Sequence, residues 1–332
     1  MKVSTILTII MFLVALLGSI GGTSYYYTQC NKAMTAQVYE HLETVAQSRA
    51  NHVVSFINSE INKLEMIGGG IIFVDFLESP ERTNQNSEEF KKIKKRIDDL
   101  NIGVGVFDTN GVILVSENNL PGTDYSELEF FKNGMQGVDI TSYYDKQRNE
   151  NYVGMAKAVK NSNGEIIGAI SLDIPLNKLN EITLDKTGLG ETGETYLIKK
   201  DSYAITDLLF VDDAFLEWKV DTINSRNCFE HSHEYGFEHD GHYEEGEHEE
   251  VQVFLDYVGD KVIGTHYIIP KAGWCLLSEI DEEEILGNQR VVFQRVSLTI
   301  IISIVVVVTL IGFFVGKFID KRIVLKKGGK KL

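Results

Sequence analysis

Charged residues are missing from two stretches of this chain, and between those stretches the period of the apolar positions changes. Residues 3–31 carry no charge and begin with the apolar run "STILTIIMFLVALLGSI"; residues 296–316, "VSLTIIISIVVVVTLIGFFVG", are 21 uncharged residues between Arg295 and Lys317. As a helix the second run covers about 31 Å, enough for a hydrocarbon core about 30 Å thick. The first run reads as a retained span, with Tyr25, Tyr26 and Tyr27 as an interfacial aromatic belt at its outer end. Lys2 before an apolar run and "GSIGGTS" also fits a secretory signal, although no A-x-A pattern follows. Both readings export the middle of the chain. The predicted division is 1–27 for an N-terminal stub and first transmembrane helix, 28–290 for a central domain, 291–318 for the second transmembrane helix and 319–332 for a basic tail.

After the first span, apolar residues recur at Met34, Val38, Leu42, Val45, Ala46, Ala50, Val53, Ile57, Ile61 and Leu64. Steps of three and four predict a long amphipathic helix over 28–75 that packs or dimerises rather than touching a ligand. A shorter helix is expected over 87–100. From there the period falls to two: "IGVGVFDTNGVILVSE" sets Asn110-Gly111 between two apolar runs, and "YVGMAKAVKNSNGEIIGAISLDI" repeats the device at Asn163-Gly164, both strong hairpin signals. A short helix over 125–135 separates them. The prediction is a five-stranded antiparallel sheet with helices on one face. A looser repeat follows, with a strand pair over 193–206 and three strands over 251–280, before "DEEEILG" opens a helix with acids in its first turn, where the helix dipole favours them. The fold class is α+β: one long helix and two tandem antiparallel-sheet modules, about 76–183 and 184–290, flanked by two transmembrane helices.

Charge sharpens this picture. The chain has 32 basic and 48 acidic residues, but Lys317, Lys321, Arg322, Lys326, Lys327, Lys330 and Lys331 crowd the tail against Asp320 alone. Basic flanks stay cytoplasmic, so the expected topology is a two-pass cell-membrane protein with both termini cytoplasmic and the central domain extracytoplasmic. What remains between Lys2 and the tail has 24 basic and 47 acidic residues. Such a field repels nucleic acid and anionic surfaces and favours cationic partners.

Two clusters carry candidate chemistry. His231, His233, His239, His242 and His248 lie among Glu230, Glu234, Glu238, Asp240 and Glu244, offering the imidazole and carboxylate ligands that a divalent transition metal takes; the same run also reads as an acidic loop that happens to be rich in histidine. Cys228 and Cys275, in an oxidising compartment, are candidates for a disulfide, with two free buried thiols as the alternative. No nucleophile elbow, H-E-x-x-H or Gly-Lys-Ser/Thr phosphate loop occurs, so no enzyme activity is expected.

In their order, "VFDTNGVILVSE", "NGEIIGAISLDIPLNKL", "GLGETGETYLI" and "DYVGDKVIGTHYIIPKAGWCLLSEIDEEE" make the chain similar to the double Cache extracytoplasmic sensor of prokaryotic histidine kinases and chemoreceptors, over about residues 5–318. The resemblance implies PAS-like modules, a small-molecule site in the membrane-distal one, and relay through the membrane-proximal one. It also implies a linker and output domain after the second span; the sequence instead ends at "FIDKRIVLKKGGKKL", so signalling is expected through a separate cytoplasmic kinase or signalling partner, or from a shortened product. Asp173 in "SLDI" matches the acid of the amino-acid-binding members, whereas their Arg, Trp and Tyr stretch reads "LEFF", Leu128 to Phe131. The implied pocket is then lined by Phe130, Phe131, Tyr143, Tyr144, Tyr152 and Asp173, an aromatic cluster with one carboxylate that suits an amine-bearing or cationic ligand. The alternative reading makes the two phenylalanines ordinary core and Asp173 a solvated strand-end acid. A homodimer through the long helix is the expected assembly. The competing function is an exported, membrane-anchored binding or metal-buffering protein with no signalling role.

Overall fold

The computed structural model describes residues 3–328 apart from 101, 118–120, 147–148 and 231–252. The chain divides into two compact units, residues 1–40 with 281–332, and residues 41–280. Helix α1 (Val3–Gly68) begins in the first unit and continues into the second, and helix α7 (Glu282–Gly328) belongs to the first. Each contains a stretch long and apolar enough to cross a membrane, with mean hydropathy 1.6 in α1 and 3.0 in α7. Within this unit the rings of Tyr27 and Phe293 lie 4.3 Å apart, joining the two helices.

The second unit starts with the amphipathic half of α1. Its apolar stripe, including Ala46, Ala50, Val53, Ile57 and Leu64, is buried in the main core, as the spacing of three and four requires. Helices α2 (Ile71–Glu78) and α3 (Glu88–Leu100) follow; Ser87 caps α3 by accepting the N–H of Phe90 at 3.1 Å, and Glu88 and Glu89 occupy its first turn. Strands β1 (Gly103–Phe107) and β2 (Ile113–Ser116), helix α4 (Glu129–Gly134), and strands β3 (Asp139–Asp145), β4 (Glu150–Lys160) and β5 (Ile166–Pro175) complete a five-stranded sheet in the order β2-β1-β5-β4-β3. The hairpins are built as the sequence predicts. Asp108 Oδ1 accepts the N–H groups of Asn110 and Val112, both at 2.9 Å, and Asn161 Oδ1 accepts those of Asn163 and Glu165, both at 3.0 Å. Each turn then needs the positive φ that glycine allows, +88° at Gly111 and +83° at Gly164.

Helices cover both faces of this sheet, not the one expected. Val104, Val106, Ile170 and Leu172 join the core of α1, α2 and α3, while the alternate positions Phe107 and Ala169 join Ile113 and Phe131 of α4 on the other side. Strand alternation makes both faces apolar enough to need a cover.

After α5 (Asn177–Thr183), strands β6 (Glu194–Lys199), β7 (Val253–Leu255), β8 (Lys261–Ile269) and β9 (Trp274–Asp281) form a second antiparallel sheet in the order β6-β9-β8-β7, with helix α6 (Ile223–Glu230) between β6 and β7 in sequence. The strand pair expected over 193–206 is reduced to β6 and isolated bridges such as Ile198 to Ala204. The ladder breaks because the N–H of Leu197 goes to the hydroxyl of Thr206 at 2.9 Å, not to a backbone carbonyl. Cys228 of α6 and Cys275 of β9 are joined by a disulfide, Cα–Cα 6.4 Å, and Cys30 is free. Arg49 of α1, 6 % exposed, ties the long helix to the start of this module: it donates to Thr195 Oγ1 at 2.7 Å and to the carbonyl oxygens of Asp185 and Thr187. Burial pulls its guanidinium below its ordinary value, partly offset by the Asp185 carboxylate.

Candidate functional site

The α4 side of the five-stranded sheet is unusually bare. Register pairs Gly103 with Asp173, Asp173 with Gly154 and Gly154 with Thr141, so one row across four strands carries a carboxylate between two glycines. The next row reads Gly105, Ser171, Ala156 and Asp139. A Cβ at Gly103 would sit 2.8 Å from Asp173 Cβ, and one at Gly105 would sit 2.7 Å from Ser171 Oγ. Any larger residue at these positions would therefore collide with the acid or the hydroxyl.

Over this floor lies a cavity of about 420 Å³. Asp173 and Ser171 form its base, Phe107, Tyr125 and Phe130 one wall, and Tyr143 and Tyr144 another. The first wall is an aromatic cluster with Phe107 edge-on to Tyr125 at 5.6 Å and to Phe130 at 6.2 Å. Glu129, Asp145 and Lys146 reach the cavity as well. Together with Asp173 that makes three acids against one base, a lining suited to a cationic group. Asp139, beneath α4, is raised above its usual range chiefly by burial, partly opposed by the amide of Asn133 at 3.2 Å.

Four of the residues chosen from sequence, Phe130, Tyr143, Tyr144 and Asp173, come together around this cavity. Two are placed behind it. Phe131 is 5 % exposed within the cluster of Phe107, Ile113 and Ala169, and Tyr152 is stacked on Tyr143 at 6.0 Å with its hydroxyl donating to Glu150 at 2.6 Å. Sequence reasoning passed over Phe107, Tyr125 and Ser171. Ser171 is legible in the sequence, because residues two apart on a strand share a face and Asp173 stands two positions on. The five histidines proposed as metal ligands lie outside the described residues, and among the described residues no group of three or more His, Cys, Asp or Glu side chains could hold a metal ion.

A family model for the Cache domain, in its double form, matches residues 31–289. The chain belongs to the Cache domain family. No curated protein matches it. Among solved structures, it is similar to the sensor domain of the V. cholerae histidine kinase DctB, with 14% identity and TM-score 0.53 over 74% of this chain and 98% of that one. It is similar to the ligand-binding domain of the Campylobacter jejuni chemoreceptor Tlp3, solved with 4-methylisoleucine, with 13% identity and TM-score 0.52 over 76% and 94%. A third similar structure is the ligand-binding domain of the Pseudomonas aeruginosa PAO1 amino acid chemoreceptor PctC with GABA, with 13% identity and TM-score 0.50 over 73% and 99%. At these identities the likeness is one of fold.

Proposed function

We propose that the chain is a membrane-anchored receptor whose five-stranded module binds a small amine-bearing molecule in the cavity above Asp173. The observation that carries this reading is the Gly103–Asp173–Gly154 row: two glycines leave the carboxylate flanked by bare backbone at the base of an aromatic-walled cavity. A carboxylate accepting from an ammonium forms a charge-assisted hydrogen bond, and the faces of Tyr125, Phe130 and Tyr143 attract the same cation. The Tlp3 and PctC domains, solved with 4-methylisoleucine and GABA, support a ligand with an amino group. Binding rather than catalysis is the role. The two apolar helices act as membrane spans with the sensor between them outside the cytoplasm, and occupancy is relayed through β9 and α7 to a cytoplasmic kinase or signalling partner, in a homodimer formed along α1.

The test is a calorimetric titration of the full chain in lipid nanodiscs with n-butylamine, γ-aminobutyrate and butyrate. Butylamine and γ-aminobutyrate should bind and butyrate should not. Asp173→Ala should weaken the binding by roughly 10- to 100-fold, the range for a hydrogen bond to a charged group. Binding of butyrate alone, or amine binding untouched by Asp173→Ala, overturns the assignment.

A further inference from the structure

The four-stranded sheet holds a second set of ionisable groups, and these are sealed. Glu194 on β6 and Glu279 on β9 are register partners, so their side chains leave the same face of the sheet opposite one another. Glu194 is 7 % exposed and Glu279 is 2 % exposed. Like charges directly opposite destabilise a strand pair, and a buried carboxylate costs several kcal/mol unless it is paired or neutral.

Neutral donors surround both acids. Tyr196 Oη donates to Glu279 Oε2 at 3.0 Å and Asn224 Nδ2 to Glu279 Oε1 at 2.9 Å, while Tyr257 Oη donates to Glu194 Oε1 at 2.5 Å and the Leu209 N–H to Glu194 Oε2 at 2.9 Å. Burial pushes both tyrosines far above their ordinary range, helped by the adjacent carboxylates, so the phenols remain donors. Because Asn224 Nδ2 also donates to the Thr265 carbonyl, its Oδ1 must accept, and His266 Nδ1 is the donor to it at 2.9 Å. The remaining charged groups facing the pair are Asp256, whose Oδ1 accepts the N–H groups of Val258, Gly259 and Asp260, and Lys186, whose ammonium is engaged with the Glu191 carbonyl at 2.7 Å. Among the described residues no lysine or arginine forms an ion pair with either glutamate.

We propose that the Glu194–Glu279 pair is a proton-binding input of its own, by which ambient pH sets how firmly β9 is held, independently of the ligand cavity in the other module. Two buried anions set opposite one another with no ion-pair partner repel, and a proton taken up by one of them removes the repulsion. The electrostatics agree: burial, with the charge of Glu194 adding to it, holds Glu279 up to about 8 against the donors that pull it down, and burial raises Glu194 too. A carboxyl raised in the folded state gives stability that is complete below its ordinary value of 4.5 and lost as pH rises through about 8. Glu279 lies on the strand that ends at Asp281, where α7 begins in the chain, so the loss falls on the segment leading to that helix.

The experiment is infrared difference spectroscopy on the full chain in lipid nanodiscs between pH 6 and pH 9, with hydrogen exchange on the same samples. The wild type should show a protonated carboxyl band that disappears as pH rises, and Glu279→Gln should abolish it. Glu194→Gln should move the midpoint of the remaining transition to lower pH. Exchange protection of β9, corrected for the intrinsic rate, should fall by up to about tenfold per pH unit as pH rises from 6 towards 8, while β4 and β5 keep theirs. If Glu279→Gln does not fold, the Glu194→Gln midpoint decides. A carboxylate already ionised at pH 6, a band that survives in folded Glu279→Gln, or a midpoint unmoved by Glu194→Gln overturns the proposal.

Discussion

Each sheet carries an acid late on its last strand, opposite its first strand, and the two acids meet different neighbours. Asp173 faces Gly103, whereas Glu279 faces Glu194. In the first case the missing side chain leaves a floor beneath a cavity of about 420 Å³. In the second, the opposing glutamate and two tyrosines fill the space and bury the acid. With the first strand paired to the last in both sheets, the two faces differ in the side chains around the acid: Gly103 and Gly154 leave Asp173 open, whereas Glu194, Tyr196 and Tyr257 close over Glu279.

The largest effect should come from cutting what the four-stranded module has and the other lacks. Replacing Cys228 and Cys275 together by Ser opens a loop with a sequence separation of 47. On the chain-entropy scale this costs about 4 kcal/mol. Urea titration should show that module unfolding first, with amine binding in the other intact; simultaneous loss of both would mean the modules are not separable. Next, Gly103→Val puts methyl groups against Asp173 and should cost about 1 to 3 kcal/mol of stability by overpacking while abolishing amine binding. Retained binding, measured by titration, would show that the cavity is not the site. The smallest effect is expected at Tyr152→Phe, which removes one hydroxyl behind the cavity wall: about 1 kcal/mol of stability, read in thermal unfolding, with amine affinity nearly unchanged. A large loss of affinity there would move Tyr152 from support to contact.

Much of this was legible in the chain because the signals are local. D-T-N-G and N-S-N-G each place an Asx side chain two residues before the N–H it accepts and three before a glycine, and the long helix shows itself in its own steps of three and four. What escaped depends on distance or direction. Phe130 and Phe131 are adjacent on α4, a six-residue helix; successive helical side chains point about 100° apart, and nothing in "LEFF" says which one meets the cavity. The Glu194–Glu279 pairing is a matter of register between strands far apart in sequence, which neither strand encodes alone. Thr206 shows a third limit: a hydroxyl that takes the ladder bond of Leu197 ends a strand pair that alternation alone would continue.

Arg49 has a mechanical consequence. Its guanidinium holds Thr195 and the carbonyl oxygens of Asp185 and Thr187 at once. Sliding α1 by one residue against this segment is a step of about 1.5 Å, which would break these bonds together and leave a buried cation without acceptors. One buried guanidinium thus fixes the register of the long helix against the entrance of the four-stranded module, much as a dowel pins two parts at a set offset.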